Sequence, residues 1–395
     1  MKDMILSMVA VCLLSGAMAC NKIPDKDMNY HFIPKDTNPT DAAPVVIGTF
    51  VTDSIVPGLA WKNFTGRDTE VTGEPQVVNV LEMDMTSPRL HLKFHYGNSD
   101  GDTTDELSPA EIRALVGVYP LYGCESGDGQ RATDEVFAHK RLTEGAVACV
   151  NGAYEVGSVW IRTNGKPHAI IGSSTVPGHT RIPQWKSEAI VCSDGNQNIK
   201  IFNPGANAWD IAQQRSYYRS IQSDWPNMFG SSPLLIWEGQ PVGESFVDKM
   251  KQYAAYKNNT NDSECPIKHQ GADNYPRTVI ALVEDNPDHE GCDKCMLITV
   301  DGRSNAAHGF SAATLTRFIL HYFPNTQYAL NMDGGGSTCM CVLGRGEPTT
   351  NVVNYPCDNL PDYDHFGVRS VNSHFYITYD QPEPDGGEGG GNGGE

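Results

Sequence analysis

The stretch NMDGGGST (331–338) sets Asp333 at the end of an apolar run and follows it with Gly334, Gly335, Gly336, Ser337 and Thr338. Glycine loses more backbone freedom on folding than any other residue. Three in a row therefore imply a backbone that must turn through positive φ or approach something closely. Successive N–H groups in such a turn form an anion-binding nest, and the two hydroxyls add further donors. The chemistry that fits is an oxyanion such as phosphate, held beside a carboxylate. A tight turn with Asp333 as the turn former is the plainer alternative. Asp301 in ITVDGRS ends a second apolar run and is followed by Gly302 and Arg303. Carboxylates at strand ends suit a ligand site at the margin of a sheet. With nearby carbonyls they also offer the oxygen ligands that Ca²⁺ or Mg²⁺ takes. No contiguous calcium loop occurs, so Ca²⁺ or Mg²⁺ is an alternative here and not a requirement.

Cations for an oxyanion are present. Arg277 precedes an apolar run in YPRTVIAL, Arg303 follows Asp301, and Arg369 lies in FGVRSVNS. Guanidinium groups bind phosphate bidentately, although each of these taken alone reads as a surface or salt-bridge arginine. Asn151, before Gly152, suits either a sugar hydroxyl or a turn. His308 in NAAHGFS could be an acid or base, but a loop histidine is usually incidental. His91 and His95 share one strand face without a third ligand and read as surface. Trp160, Trp185 and Trp237 could stack on a sugar, and core packing is expected of each.

These groups need a scaffold. RLHLKFHY (89–96) alternates strictly and predicts a half-buried strand. SPAEIRALVG (108–117) predicts a helix with Ser108 as N-cap, Pro109 at its first position and Gly117 as its stop. TDEVFAHKRLTEG (133–145) predicts a second helix, and AVACVN (146–151) a buried strand ending at Asn151. Residues 159–171 and 188–202 each carry Asn-Gly or Asp-Gly between apolar runs, a strong hairpin signal. Further strands are predicted at 278–284, 296–301, 328–333 and 366–379, and a helix capped by Ser311 at 311–322. The order gives an α+β (mixed α/β) fold: a largely antiparallel or mixed sheet with flanking helices.

The ends read differently. MKDMILSMVAVCLLSGAMAC (1–20) is a short apolar run after one lysine, with small residues leading to Cys20. It fits a lipoprotein signal peptide whose Cys20 becomes the lipidated first residue, and so predicts export to the cell envelope, at the outer membrane or cell surface. Residues 21–45 are polar and proline-rich and read as a tether. Residues 46–379 hold the folded domain, and 380–395 a disordered glycine-rich acidic tail. A net charge of −19 gives no support for binding nucleic-acid backbones, which requires a basic face. Beyond the signal lie Cys124, Cys149, Cys192, Cys265, Cys292, Cys295, Cys339, Cys341 and Cys357. Export permits disulfides, and disulfides or buried thiols fit these better than a zinc site at Cys292-x-x-Cys295 and Cys339-x-Cys341.

Six stretches occur in one order: VNGAYE (150–155), FGSSPLLIWEGQ (229–240), YPRTVIAL (275–282), ITVDGRSNAAHGFSAATL (298–315), ALNMDGGGST (329–338) and FGVRSVNSHFYI (366–377). Together they closely resemble the phosphodiester glycosidase family, over roughly residues 75 to 379. Met332 stands where that family commonly has leucine, and residues 248–275 read as an insertion able to reshape the substrate mouth. The resemblance implies an exported hydrolase that cuts a sugar-1-phosphodiester, N-acetylglucosamine-1-phosphodiester-like, between the anomeric carbon and its phosphate oxygen. It implies Arg277, Arg369 and Arg303 on phosphate, together with Gly334, Gly335, Gly336, Ser337 and Thr338. Asp333 and Asp301 become the nucleophile or water-activating base, with Glu155 in reserve, while Asn151 and Asn331 position the substrate. The partners implied are a phosphorylated glycan and, through Cys20, a membrane. The contrasting expectation is a surface glycan-binding lipoprotein without turnover.

Overall fold

The computed structural model describes residues 46–97, 131–155, 158–171, 185–195, 197–205, 210–253 and 265–381. The signal and Cys20, the tether, the helix expected at 108–117, Cys124, residues 254–264 of the insertion and the tail from 382 lie outside the described residues.

Among the described residues the named strands all pair antiparallel, in three main sheets. A seven-stranded sheet runs, in spatial order, Phe50–Val56, Leu59–Arg67, Pro75–Asp84, Lys294–Val300, Arg277–Val283, Thr326–Asn331 and Leu234–Trp237. A four-stranded sheet runs Met340–Val342, Ala146–Asn151, Ser373–Tyr379 and Leu90–Tyr96. A five-stranded sheet runs Ile199–Phe202, Ala189–Ser193, Asn227–Ser231, Ile161–Thr163 and Lys166–Ala169. The largest core cluster takes residues from all three, including Leu81, Ile280, Phe94, Phe375, Val191 and Phe229. The seven-stranded sheet therefore forms one layer and the two smaller sheets face it.

The central strands are buried on both faces, which the side-chain period of two explains. In Arg277–Val283, Ile280 and Leu282 enter this inner core, while Val279, Ala281 and Val283 enter a second cluster on the outer face. That outer face is covered by the helix Ala312–Tyr322, whose Leu315, Phe318 and Ile319 follow helical spacing. Ser311 Oγ caps it by accepting from the Thr314 N–H at 3.1 Å. The helix Thr133–Glu144 lays Val136 and Phe137 on Cys149, Cys341 and Tyr376 behind the four-stranded sheet. The helix Ile211–Ile221 lays Tyr218 on Trp160, Ile190 and Met228 behind the five-stranded one. The architecture is thus α+β, as its element order predicted.

Two departures from sequence bear on the site. The single strand predicted at 366–379 is two, Ser370–Val371 and Ser373–Tyr379, because its halves pair with different partners. The strand expected to end at Asp333 ends at Asn331, which releases Asp333 from the ladder. Cys149, Cys192, Cys292, Cys295, Cys339, Cys341 and Cys357 are thiols without a disulfide.

Candidate active site

The glycine loop crosses from one layer to the other. It leaves the seven-stranded sheet at Asn331, makes one 3-10 turn over Gly335–Ser337 and enters the four-stranded sheet at Met340. Each glycine has its own reason. Gly335 has φ +63, which favours glycine. Gly334 could carry no side chain, since a Cβ there would lie 2.7 Å from the Pro276 carbonyl oxygen. At Gly336 a Cβ would fall on the Asp358 carboxylate and the Arg369 guanidinium. The loop is pinned from below. The Asp333 N–H donates to Gly152 O at 3.0 Å, Asn151 Nδ2 donates to Asp333 O at 2.7 Å, and the Gly335 N–H donates to Pro276 O at 3.0 Å.

A cavity of about 300 Å³ opens above this loop, lined by Asp333, Gly334, Gly335, Gly336 and Ser337 together with Glu155, Arg303 and Arg369. Arg369 is held in a fork by Asp358, at 2.6 and 2.7 Å, so its charge is fixed in direction. Hydrogen bonding by Asp358 also holds its pKa above the usual arginine value. Arg303 comes from a residue at φ 61, an uncommon backbone for a non-glycine residue, and its guanidinium lies 4.9 Å from the centroid of the Tyr275 ring. The two carboxylates of the cavity differ in environment. Burial pushes Asp333 up to about 7, with the Glu155 charge adding to the shift and the Ser337 hydroxyl, Lys186 and Arg369 opposing it. Glu155 also feels burial, yet it is held below the usual carboxylate range by Lys186, 2.5 Å away, and by the Ser158 hydroxyl at 3.0 Å.

Several residues expected at the ligand stand behind the wall instead. Arg277 does not line the cavity. Its guanidinium is buried and donates to Phe310 O at 2.8 Å, Gln270 Oε1 at 2.7 Å and His269 O at 3.0 Å. Burial among neutral acceptors lowers its pKa to about 10. A guanidinium so fully engaged has no fork left for phosphate. Asp301 is likewise buried, and it accepts from Asn354 Nδ2 and the Tyr355 N–H, both at 3.1 Å. It anchors the segment that leads to Asp358 and so bears on Arg369 indirectly. Asp301 does not line the cavity beside Asp333. No group of three or more His, Cys, Asp or Glu suited to a metal ion occurs among the described residues. Asn151, Asn331 and Thr338 are buried supports. Asn151 Oδ1 accepts from Thr278 Oγ1 at 2.8 Å and the Cys339 N–H at 3.1 Å, and Asn331 Nδ2 donates to Ser232 O at 3.0 Å.

Tyr154, Lys186, His269, Tyr275 and the segment Ser370–Asn372 complete the lining, and none was assigned to the ligand from sequence. Tyr275 had a signal, an aromatic before proline in a motif already noted. Lys186 had none, since a lone lysine carries no pattern. His308 stands outside the cavity, 3.6 Å from Glu74, while His91 pairs with Asp380 at 3.0 Å and Trp160 packs in the core.

Residues 145–378, more than half of the chain, match the family described as phosphodiester glycosidase. No curated protein matches the sequence. Among solved structures, the catalytic domain of zebrafish N-acetylglucosamine-1-phosphodiester alpha-N-acetylglucosaminidase, auto-inhibited by its pro-peptide, is similar over 85% of this chain and 89% of that one, at 14% identity and a TM-score of 0.49. A hypothetical protein from Synechocystis is similar over 86% of this chain and 65% of that one, at 13% identity and a TM-score of 0.44.

Proposed function

The chain belongs to the phosphodiester glycosidase family, and from that premise we propose that it hydrolyses a sugar-1-phosphodiester, N-acetylglucosamine-1-phosphodiester-like, at the bond between the anomeric carbon and the phosphate oxygen. One observation carries this proposal. A single cavity holds two guanidinium groups and a glycine loop beside two carboxylates whose surroundings push their proton affinities apart. Divergent pKa values within one site are the mark of paired acid and base roles.

In this mechanism Arg303, Arg369, Ser337 and the glycine loop seat the phosphodiester anion. Its negative charge favours the neutral form of Asp333 still further. Asp333 therefore serves as proton donor to the departing phosphate oxygen, rather than as the base expected from sequence. Glu155, kept ionised by Lys186, serves as the base or nucleophile at the anomeric carbon. One water is consumed: its oxygen ends on the sugar carbon, and the phosphomonoester leaves with the transferred proton. The second pKa of a phosphomonoester is about 6, so acid assistance is modest and charge stabilisation by the arginines carries more of the rate. Arg277, Asp301, Asn151, Asn331 and Thr338 act by holding these groups in place.

The test is sugar release from a panel of sugar-1-phosphodiesters in ¹⁸O-labelled water. Label in the released sugar is the expected result. Label in the phosphate would move the chemistry to phosphorus, and binding without release would favour a glycan-binding protein. We also propose that the enzyme is an exported lipoprotein held at the envelope through Cys20, on the strength of the small residues that precede it. Cells fed a clickable fatty acid should label the wild-type protein and not Cys20→Ser, and equal labelling of both would exclude this anchor.

A further inference from the structure

The cavity has a wall that this chemistry leaves unused. His269 and Tyr275, both half-buried, face it from the segment that reads as an insertion. Their ring centroids lie 4.9 Å apart at an interplanar angle of 63°. The buried Trp185 backs His269 at 5.4 Å. Arg303 lies over the Tyr275 ring, so the aromatic wall begins where the anion-binding end stops. On its far side stands the Lys186–Glu155 pair, with Lys186 Nζ 5.7 Å from the Trp185 ring centroid.

The wall is rigidly set. Arg277 reaches from the central sheet and binds the His269 carbonyl oxygen and the Gln270 side chain, which fixes the helix Pro266–Gly271. Gln270 Nε2 in turn donates to the Tyr154 hydroxyl at 3.3 Å. Tyr275 is gripped through its backbone. A Cβ on Gly302 would lie 2.8 Å from the Tyr275 carbonyl carbon, and Gly309, at φ +80, packs against the Tyr275 carbonyl oxygen. Residues from the DGR and HGF motifs are thus spent on placing one aromatic side chain.

We propose that His269 and Tyr275 form the glycosyl subsite, which takes the apolar face of a neutral pyranose, and that Arg277 is the positioning residue for this wall. The inference rests on the phosphodiester glycosidase role proposed above. Ligand sites combine aromatic surface with a few convergent polar groups, and that is the composition here. Glu155 has a second oxygen that can accept, which matches a sugar hydroxyl. A sugar carboxylate would have to compete with Glu155 for Lys186 while facing the Glu155 charge, so a neutral ring is favoured over a uronate. Tyr154 also lines the cavity, with its hydroxyl tied to Ser232 O and Gln270 Nε2, whereas Ser370–Asn372 beyond Arg369 offers no aromatic ring and is left for the aglycone.

Calorimetric titration with N-acetylglucosamine 1-phosphate, glucuronic acid 1-phosphate and inorganic phosphate tests this. The wild type should bind N-acetylglucosamine 1-phosphate about 10-fold or more tightly than phosphate, and more tightly than the uronate. His269→Ala should bring the ratio to phosphate close to one while the phosphate Kd stays within about twofold. Arg277→Met should lower the same ratio without changing the phosphate Kd, and Gln270→Ala, which removes a single anchor, should do so in part. An unchanged ratio in His269→Ala overturns the subsite while leaving the anion site intact. Conversely, an intact ratio in a wild type that releases no sugar from any diester overturns hydrolysis and leaves the subsite standing.

Discussion

Asp333→Asn lowers kcat for a sugar-1-phosphodiester by about 10²-fold, the low end for loss of a positioned proton donor because the departing phosphate oxygen is weakly basic, and leaves KM within a factor of about two. The substitution keeps the size of the side chain and removes its proton. The surrounding loop should change little, because its backbone is tied through Asp333 to Gly152 and Asn151 and through Gly335 to Pro276, and the asparagine amide oxygen can still accept from the Ser337 hydroxyl that bonds the carboxyl group. The pH profile of kcat/KM makes the assignment specific. Asp333 is pushed up to about 7 by burial, so its proton-bearing form predominates below that pH. Activity that needs this form is present on the acid side and falls as pH rises through about 7. Glu155 must be ionised, and since Lys186 holds it low, activity should fall again only at distinctly acid pH. In Asp333→Asn the fall near neutrality disappears. The loss should also be smaller for an aryl than for an alkyl phosphodiester, because a less basic leaving oxygen needs less help. A wild-type rate that rises through pH 7 would return Asp333 to the role of base.

The parts of the site that sequence reveals are those whose backbone demands are unusual. The triple glycine, the Asp-Gly-Arg turn and the Tyr-Pro-Arg run are each visible as motifs, and the fold explains why they occur together. Gly302, Gly309 and Gly334 all approach the backbone of Tyr275 or Pro276 too closely to carry a side chain. What sequence leaves hidden is direction. Arg277 and Arg369 each belong to one of these motifs and look equivalent on paper. One points inward from a fully buried strand to four neutral acceptors, and the other lies just before a two-residue strand and reaches the cavity. Asp301 and Asp333 look equivalent for the same reason. They differ because Asp301 directly follows its strand and its N–H still bonds to Val77 O at 3.0 Å, whereas Asp333 stands two residues beyond its own. Lys186 and His269 leave no trace in a single sequence, since their importance comes from packing between distant segments.

Gly336→Ala should lower kcat/KM by about 10²- to 10³-fold, the range for losing one group that stabilises developing charge. Gly336 does not occupy the positive-φ region, so alanine imposes no backbone penalty there. The effect is one of space. The new methyl group would fall on the fork that joins Arg369 to Asp358, and that fork is partly exposed, with side-chain exposures of 48% and 33%. An exposed pair can swing outward at little cost to stability. Thermal unfolding should therefore shift far less than activity. Swinging outward takes the Arg369 charge away from the phosphate, and it also strips Asp333 of a neighbour that opposes its raised pKa. A double-mutant cycle separates this explanation from simple damage to the loop. If Gly336→Ala acts by displacing Arg369, then Gly336→Ala combined with Arg369→Ala is no worse than Arg369→Ala alone, because the same interaction cannot be lost twice. Losses that multiply instead would mean that Gly336 supports catalysis through the backbone of the loop and that Arg369 contributes independently. Arg369→Lys, which keeps the charge and loses the fork, should recover only a small part of the activity, since a bidentate contact depends on geometry as well as charge.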